Sequence, residues 1–416
     1  MIRAFAHHLP KSNEGLSAFH RDLKPKIDAV QAAGRAQISS PAVQALAALI
    51  DADAIVRMFT VEMIRQAIEL PQSPDQPAVK DVDDLLSALD LITTLAPAYN
   101  VNKNLRNTFP MSSLFGYMMM TPAGESIFRN RSFNDAIQKI LQEWCAYLNS
   151  GASTSVLNTD ADGWLSRPAV KEFQLDDFIH DPNLPHWGWT SYNDFFHRQI
   201  KPKKRPVASP GDPKVIVSAN DGNLVSIARG VQRVDEFWLK GEPFSLVDML
   251  DHSQYTDLFV GGDVVQVFLS GGNYHRWHSP IDGTVRDARI VNGLMFSDAE
   301  SAGWDPSGVL SEGYYAAVNT RGVVFIESDD PVIGMVCVIP IGITEISSVT
   351  IEVAIGHKLA KGDELGYFSY GGSSLCLVFK QGAINAFTMG DPPPKPVTDP
   401  TSGPAVEVNA QIAIAN

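Results

Sequence analysis

A short stretch near the C-terminal end contains residue types that could do chemistry, because it places serine hydroxyls beside a flexible backbone. Gly371 and Gly372 precede Ser373 and Ser374, and an apolar run from Leu375 to Phe379 follows them. Two glycines permit a turn that exposes a backbone carbonyl beside a hydroxyl, and the apolar run favours a strand. Such a turn is more often a plain hairpin loop, so a chemical role requires partners elsewhere.

The segment from Asn273 to Gly283, NYHRWHSPIDG, offers two histidines as partners. His275 and His278 are three residues apart, and in an extended backbone such residues point to opposite faces. We therefore expect them to do different jobs. A zinc site is disfavoured, because no nearby cysteine or third histidine completes a ligand set of recognisable spacing, and we expect no metal.

An acidic partner comes from one of two Asp-Gly pairs. Asp221 in SANDG is the candidate and Asp282 in SPIDG is its rival, although either aspartate could simply shape its turn. With His278 and Ser373, Asp221 completes the set of side chains that serine hydrolases use. Against a hydrolase, the chain lacks a G-x-S-x-G elbow at this serine, which follows two glycines on a strand and does not enter a helix.

Helical periodicity dominates the first part of the chain. Apolar residues recur at helical spacing in Pro41–Leu70, Asp84–Ala96 and Phe133–Leu148. Asp51 and Asp53 offer a break between two helices within the first of these segments.

Two further segments complete this helical region. Met111 to Met120, MSSLFGYMMM, is a flexible apolar segment that could line a pocket but is better explained as core. Asn149 to Gly163 is rich in small and turn-forming residues, which is typical of a linker. We therefore predict a helical N-terminal domain over residues 1–160.

The remainder, residues 161–416, is predicted to be a β-rich domain. Beyond Val215, short apolar runs are separated by glycine, aspartate and asparagine, which is typical of many short strands. Phe244 to Asp251 is predicted as a short helix that begins with a Ser245 cap. The last segment, VEVNAQIAIAN, alternates well enough to form a strand. The expected fold class is α+β.

Composition limits the classes of partner and compartment. The 416 residues are 44% hydrophobic and 19% charged, as in a soluble globular protein, and the formal net charge is -14. Such a charge argues against a nucleic-acid partner and favours a small-molecule substrate. Cys145, Cys337 and Cys376 are too few and scattered for a disulfide framework, which favours a reducing, cytoplasmic compartment.

Membrane association is possible but not favoured. The first residues lack the apolar core of a signal peptide, and the longest apolar run, Pro331 to Ile343, is well short of the roughly 20 residues that span a bilayer. Lys201, Lys203, Lys204 and Arg205 form the dense basic patch KPKKR, which could face an anionic lipid surface or form a solvated turn.

Five segments across about residues 185 to 390 occur in the order SYNDFFHRQIKPKKRP, SANDG, KGEPFSL, YHRWHSPIDG and YGGSS. In these segments and in their order the chain resembles the pyruvoyl-dependent phosphatidylserine decarboxylase family, and more closely its soluble amino-acid branch of the L-tryptophan decarboxylase type. The helical N-terminal region and GWL at Gly163–Leu165 resemble the amino-acid branch. The resemblance implies a catalytic domain that is β-rich and barrel-like.

The resemblance also implies that the chain cuts its own backbone between Gly372 and Ser373. The Ser373 hydroxyl, deprotonated by His278 with Asp221 holding the tautomer of the imidazole, would attack the Gly372 carbonyl. β-Elimination and hydrolysis would then give a large β chain, Met1 to Gly372, and a small α chain that begins with a pyruvoyl group formed from Ser373.

That pyruvoyl group would be the cofactor, accepting the substrate amine and the electrons left by carbon dioxide. By the family pattern His275 is the acid that protonates the substrate carbon, although it could instead be a structural histidine. Glu345 could hold a substrate ammonium or pair with a lysine. Ser374 is a turn residue, and it would replace Ser373 if the cut fell one bond later.

Three functions are therefore open. The first is decarboxylation of a free L-amino acid, aromatic according to the resemblance, by a protein whose partners are its substrate and its own cleaved chains. The second is the same reaction on phosphatidylserine, with the KPKKR patch facing the bilayer. The third is an unprocessed β-rich binding module, since GHKLAKGDELGYF resembles the turn pattern of lipoyl- and biotinyl-type barrels.

Overall fold

The computed structural model describes residues 13–32, 38–70, 73–74, 76–236, 244–298, 311–345, 348–370, 372–393 and 401–416. The chain divides into two compact units. The first comprises residues 1–175, 180–195 and 294–308, and the second comprises residues 176–179, 196–293 and 309–416.

The first unit is helical. Eight α-helices lie within its described residues, and a ninth begins in it and ends at Phe196. They are α1 (Asn13–Ala32), α2 (Pro41–Ala52), α3 (Ala54–Glu69), α4 (Val82–Ile92), α5 (Pro110–Met119), α6 (Pro122–Phe128), α7 (Arg131–Leu148), α8 (Arg167–Glu172) and α9 (Tyr192–Phe196).

Local sequence explains where several of these helices begin and end. Ser40 caps α2 and accepts a hydrogen bond from the Val43 backbone, and Pro41 occupies the first turn, where its missing N–H costs nothing. Asp53 ends α2 and caps α3 by accepting from the amides of Ile55 and Val56. The predicted break between two helices is therefore confirmed at this residue.

Buried apolar faces hold the helical unit together. All ten residues of α5 are buried, which confirms the core interpretation for Met111 to Met119, whereas Met120 is half-buried. The predicted apolar stripe of α7 is buried as well. Its members are Phe133, Ile137, Ile140, Leu141, Trp144 and Leu148.

The helical unit continues to residue 175, past the linker in which we expect the domain boundary. Trp164 is buried, its indole nitrogen donates to the Pro97 carbonyl at 2.7 Å, and its ring lies 5.7 Å from that of Tyr99. These contacts attach residues beyond 160 to the helices.

The second unit is built on β-strands, with two short helices, α10 (Leu246–Met249) and α11 (Glu312–Val318). The strands are β1 (Val215–Val217), β2 (Gly222–Arg229), β3 (Asp263–Leu269), β4 (Arg276–His278), β5 (Gly283–Val291), β6 (Arg321–Ser328), β7 (Met335–Ile343), β8 (Val349–Ile351), β9 (Lys358–Leu359), β10 (Glu364–Phe368), β11 (Gly372–Phe379), β12 (Ile384–Phe387), β13 (Ala405–Val406) and β14 (Gln411–Ala415).

These strands form three sheets. An eight-stranded sheet has the order β13-β2-β3-β11-β7-β6-β5-β9, and two three-stranded sheets have the orders β1-β14-β12 and β4-β10-β8. The hydrogen-bonded strand pairs in these sheets are antiparallel. The predicted α+β class, with a helical N-terminal region followed by a β-rich region, is confirmed.

Two details of the β-rich unit refine the sequence predictions. The helix expected over Phe244–Asp251 is the shorter α10, and Ser245 precedes it without a capping bond to the backbone, because its hydroxyl donates to Asp248 Oδ2 at 2.5 Å. The final alternating segment does form strands, β13 and β14. Within the described ranges, no helix is both long and apolar enough to cross a bilayer.

Candidate functional site

The predicted cleavage bond lies at the beginning of a central strand. On β11, Gly372 pairs with Ile343, and Ser373 pairs with Gly342 on β7 and with Leu269 on β3. The interpretation of Gly372 and Ser373 as a hairpin turn is therefore wrong, because the apolar run extends the strand back through both residues.

The two serines differ in their surroundings. The Ser373 side chain is fully buried, and its Oγ makes no hydrogen bond within the described part of the chain. Ser374 points to the opposite face of the strand. There its Oγ accepts from Gln266 Nε2 at 3.0 Å, and the same nitrogen donates to Glu312 Oε2 at 2.6 Å.

Topology brings the histidine segment to this strand. β3 ends at Leu269, opposite Ser373, and six residues later the chain reaches His275, immediately before β4. The His275 backbone carbonyl accepts from the Phe368 amide at 2.9 Å, at the end of β10, just upstream of β11. The two candidate regions are therefore linked by short pieces of backbone.

His275 lies in a fully buried aromatic setting. Its ring stacks on Phe196 with centroids 3.8 Å apart, and the Phe196 ring meets that of Tyr370 edge-on at 5.3 Å. Neither ring nitrogen of His275 makes a hydrogen bond of ordinary geometry to a described residue. Burial, together with the positive charge of Arg198, lowers the pKa of His275 well below its usual value, so the ring is neutral.

His278, by contrast, is hydrogen-bonded at both ring nitrogens. Nδ1 lies 2.8 Å from the Gly362 carbonyl oxygen and Nε2 lies 2.8 Å from the Tyr274 hydroxyl. Burial lowers its pKa as well. The two histidines therefore differ in their hydrogen bonding, and neither is bonded to Ser373.

Asp221 does not hold the imidazole of His278. Its Oδ1 accepts from the Val408 amide at 2.7 Å, and its Oδ2 lies 3.5 Å from Arg205. The expectation that Asp221 fixes the tautomer by direct contact is wrong, because the Gly362 carbonyl occupies that position. Burial raises the pKa of Asp221, and the Val408 amide and the Arg205 guanidinium oppose this rise.

The rival aspartate has a different contact. Asp282 Oδ1 accepts from the backbone amide of Lys361 at 2.9 Å, next to the Gly362 carbonyl that binds His278.

Glu345 is buried two residues beyond Ile343, the partner of Gly372. No group of three or more His, Cys, Asp or Glu side chains suited to a metal ion occurs among the residues that the structure describes.

Contacts within the second unit occupy much of the KPKKR patch. Lys204 Nζ and Arg205 Nη1 bind the two carboxylate oxygens of Asp177 at 2.8 and 3.1 Å. Lys201 Nζ donates to the Asp176 carbonyl at 2.9 Å. Three of the four cations therefore serve the fold itself.

Sequence reasoning missed Tyr274 and Gly362 as partners of His278. Tyr274 belongs to the same motif, four residues before His278, and that proximity was an available signal. Gly362 lies 84 positions from His278, in a Lys-Gly-Asp turn that carries no sign of contact with a histidine.

Comparisons with known proteins agree with these motifs. Family models described as phosphatidylserine decarboxylase match residues 192–392 and 40–173. Decarboxylase iboD of Amanita muscaria is 39% identical over 300 residues, covering 67% of this chain and 85% of that protein. The L-tryptophan decarboxylase of Psilocybe cubensis is 31% identical over 360 residues, covering 80% of this chain and 79% of that protein. The phosphatidylserine decarboxylase proenzyme of Chlamydia pneumoniae is 31% identical over 229 residues, covering 53% and 72%.

Proposed function

The chain belongs to the phosphatidylserine decarboxylase family and is a decarboxylase, a carboxy-lyase, and we propose that it acts on a free aromatic L-amino acid such as tryptophan. We propose further that it first cuts its own backbone between Gly372 and Ser373. The products of the reaction would be the amine and carbon dioxide.

The Ser373 hydroxyl is the observation that carries the proposal. A buried hydroxyl without a hydrogen bond costs about 1 to 3 kcal/mol, and such groups are concentrated where chemistry needs them. Gly372 has no side chain to block the approach to its carbonyl. Ser374, whose hydroxyl is bonded to Gln266, is the poorer nucleophile of the two.

The proposed cut follows from the groups present. Ser373 Oγ loses its proton to His278 and attacks the Gly372 carbonyl carbon, so that the acyl group moves from nitrogen to oxygen. β-Elimination then releases the Gly372 carboxylate and leaves a dehydroalanine at position 373. Water converts this residue to a pyruvoyl group, and ammonia leaves.

A pyruvoyl group suits this position, since Ser373 is fully buried and its hydroxyl has no hydrogen bond to any residue that the structure describes, so that a buried carbonyl would replace it. The group supplies an electron sink for the charge that carbon dioxide leaves behind. We assign to His275 the delivery of a proton to the substrate carbon, because burial lowers its pKa and a proton placed on it is readily given up. Glu345 would attract the substrate ammonium.

Three observations favour an aromatic amino acid over phosphatidylserine. The Phe196 ring stacks on His275 and meets the Tyr370 ring edge-on, and together these rings provide an apolar surface for an aromatic side chain. Asp176 and Asp177 engage Lys201, Lys204 and Arg205, the patch that would otherwise face a bilayer. The L-tryptophan decarboxylase of Psilocybe cubensis also covers more of this chain than the lipid decarboxylase of Chlamydia pneumoniae does.

Denaturing mass spectrometry of the expressed protein tests the cut. We expect two fragments, Met1 to Gly372 and a fragment from position 373 with a pyruvoyl mass and no free α-amine. Ser373→Ala should stay intact, whereas the matched control Ser374→Ala should be cut as the wild type is. An intact wild-type chain would contradict the proposal and favour the β-rich binding module.

Carbon dioxide release then tests the substrate. The cut enzyme is incubated separately with tryptophan, phenylalanine, lysine and phosphatidylserine liposomes. We expect release with the aromatic amino acids and none with Ser373→Ala. Release with the liposomes alone would overturn the amino-acid assignment while leaving the cut intact.

A further inference from the structure

His278 is held in one defined tautomer. A carbonyl oxygen can only accept, so the contact with Gly362 requires that Nδ1 carry a proton. Burial lowers the pKa of the ring and keeps it neutral, which leaves Nε2 as an acceptor. The Tyr274 hydroxyl, 2.8 Å from Nε2, is therefore the donor in that hydrogen bond.

Tyr274 is well fixed as a donor. Its side chain is buried, and its ring stacks on Phe178 at 6.0 Å with an angle of 29° between the planes. The guanidinium of Arg198 covers the Phe178 ring at 4.2 Å. Burial raises the pKa of Tyr274 above its usual value, so the hydroxyl keeps its proton.

These contacts leave no lone pair on His278 available to a serine. Nδ1 is protonated, Nε2 accepts from Tyr274, and Ser373 Oγ is bonded to neither atom. The uncut chain therefore holds its base and its nucleophile apart from each other. The base becomes available only when the bond to Tyr274 breaks.

We propose that Tyr274 is a positioning residue that restrains the base of self-cleavage: its hydroxyl occupies Nε2 of His278 in the uncut chain and so limits the rate of the cut. This inference rests on the proposed function, since it concerns the cut between Gly372 and Ser373. It assigns Tyr274 no contact with the substrate.

The restraint has a consequence for the pH dependence of the cut. A hydrogen bond donated to Nε2 stabilises the neutral imidazole, so its removal raises the pKa of His278. The other charged groups that act on this ring are Arg276, which opposes protonation, and Asp221 and Asp363, which favour it. A Tyr274→Phe chain retains all three of these groups.

The experiment follows the conversion of freshly synthesised chain into fragments, by denaturing gel, from acid to alkaline pH. We expect Tyr274→Phe to cut roughly threefold to tenfold faster than the wild type on the alkaline plateau, since one hydrogen bond no longer has to break. The pH below which the rate of cutting falls should be higher for Tyr274→Phe than for the wild type; we call this falling part of the curve the acid limb. The matched control is Tyr367→Phe, which removes a hydroxyl from neighbouring β10 and should cut at the wild-type rate.

A second substitution gives the opposite result and retains the phenol. A ring-fluorinated tyrosine at position 274 is a stronger donor, so we expect slower cutting. An unchanged rate and an unchanged acid limb in Tyr274→Phe would overturn the inference, and so would slower cutting, which would make Tyr274 a proton relay. A wild-type chain that never cuts would overturn the proposed function as well, whereas a wild type and variant that cut alike would overturn this inference alone.

Discussion

Gly362 lies so close to Val207 that a Cβ at position 362 would be only 2.5 Å from Val207 Cγ2. The backbone at Gly362 is also left-handed, with φ at +90°. Close packing and positive φ together exclude other residues from this turn. Because the carbonyl of the same residue binds His278, the turn fixes the orientation of the histidine as well as the path of the chain.

Substitution of Gly362 tests this coupling. In a Ser373→Ala background, where the chain stays intact, we expect Gly362→Ala to lower the free energy of unfolding by about 3 kcal/mol, measured by urea denaturation. The control is Gly356→Ala, at φ +87° with nothing within 4 Å, which should cost about 1 kcal/mol. With Ser373 restored, Gly362→Ala should also slow the cut. If Gly362→Ala and Gly356→Ala lowered the free energy of unfolding equally, the packing argument would be contradicted.

Lys361 provides a second test of the same turn. Its buried Nζ donates to the carbonyls of Ser209, Asp212 and Val215 at 2.9, 2.8 and 2.8 Å. We expect Lys361→Met to lower the free energy of unfolding by about 3 kcal/mol in the intact background, since three carbonyl acceptors, that of buried Val215 among them, lose a charged donor. Lys358→Met, which alters an exposed side chain on β9, should change stability by less than about 1 kcal/mol.

Asp221 is expected to act on His278 through its charge. The carboxylate favours protonation of the ring without a hydrogen bond to it. Removing this charge should lower the pKa of His278 and make it a weaker base. We therefore expect Asp221→Asn to cut about tenfold more slowly and to move the acid limb to lower pH, opposite to Tyr274→Phe.

The rival aspartate supplies the control for that experiment. Asp282→Asn retains an oxygen that can accept from the Lys361 amide, so its rate of cutting should stay near that of the wild type. If Asp282→Asn slowed the cut and Asp221→Asn did not, the assignment of the acidic residue would be reversed.

His20 should make the helical unit sensitive to acid. Burial lowers its pKa from 6.5 to about 4, and its Nδ1 accepts from the Ala78 amide at 3.1 Å. Between these two values the unfolded chain binds a proton that the folded chain does not, so stability falls as pH falls through this window. The loss should total about 3 kcal/mol.

Unfolding curves at several pH values check this prediction. In His20→Gln the amide oxygen can replace Nδ1 as the acceptor from Ala78. The free energy of unfolding of this variant should lose most of its pH dependence in that window. The exposed His357→Gln should retain it. A wild-type curve that is flat between pH 6.5 and 4 would contradict the assignment to His20.

Local signals in the sequence predicted much of the fold. The Asp53 side chain is of the kind that caps a helix by accepting from its first backbone amides. The apolar residues of α7 recur at helical spacing, and the apolar runs beyond Val215 have the length of strands. These features depend on neighbours within a few residues. The α+β class follows from them directly.

The contacts of the candidate site were less accessible to sequence reasoning. Which acceptor meets His278 Nδ1 depends on how a distant turn folds back, and an Asp-Gly pair offered a more familiar partner than the Gly362 carbonyl did. The glycines before Ser373 suggested a turn, yet Gly372 pairs with β7 and Ser373 pairs with both β3 and β7, which outweighs the turn preference at these two residues. Both errors arise where long-range pairing overrides local propensity.

The central position of β11 has one more consequence. A cut after Gly372 would leave the new fragment paired with β3 and β7 through β11, with β2 through β13 and with β1 through β14. The processed protein would then behave as a fragment-complementation pair that co-migrates under native conditions. The two fragments would separate only on global unfolding. Dilution of the denaturant could restore the folded complex. It could not rejoin the backbone, because residue 373 would no longer be a serine.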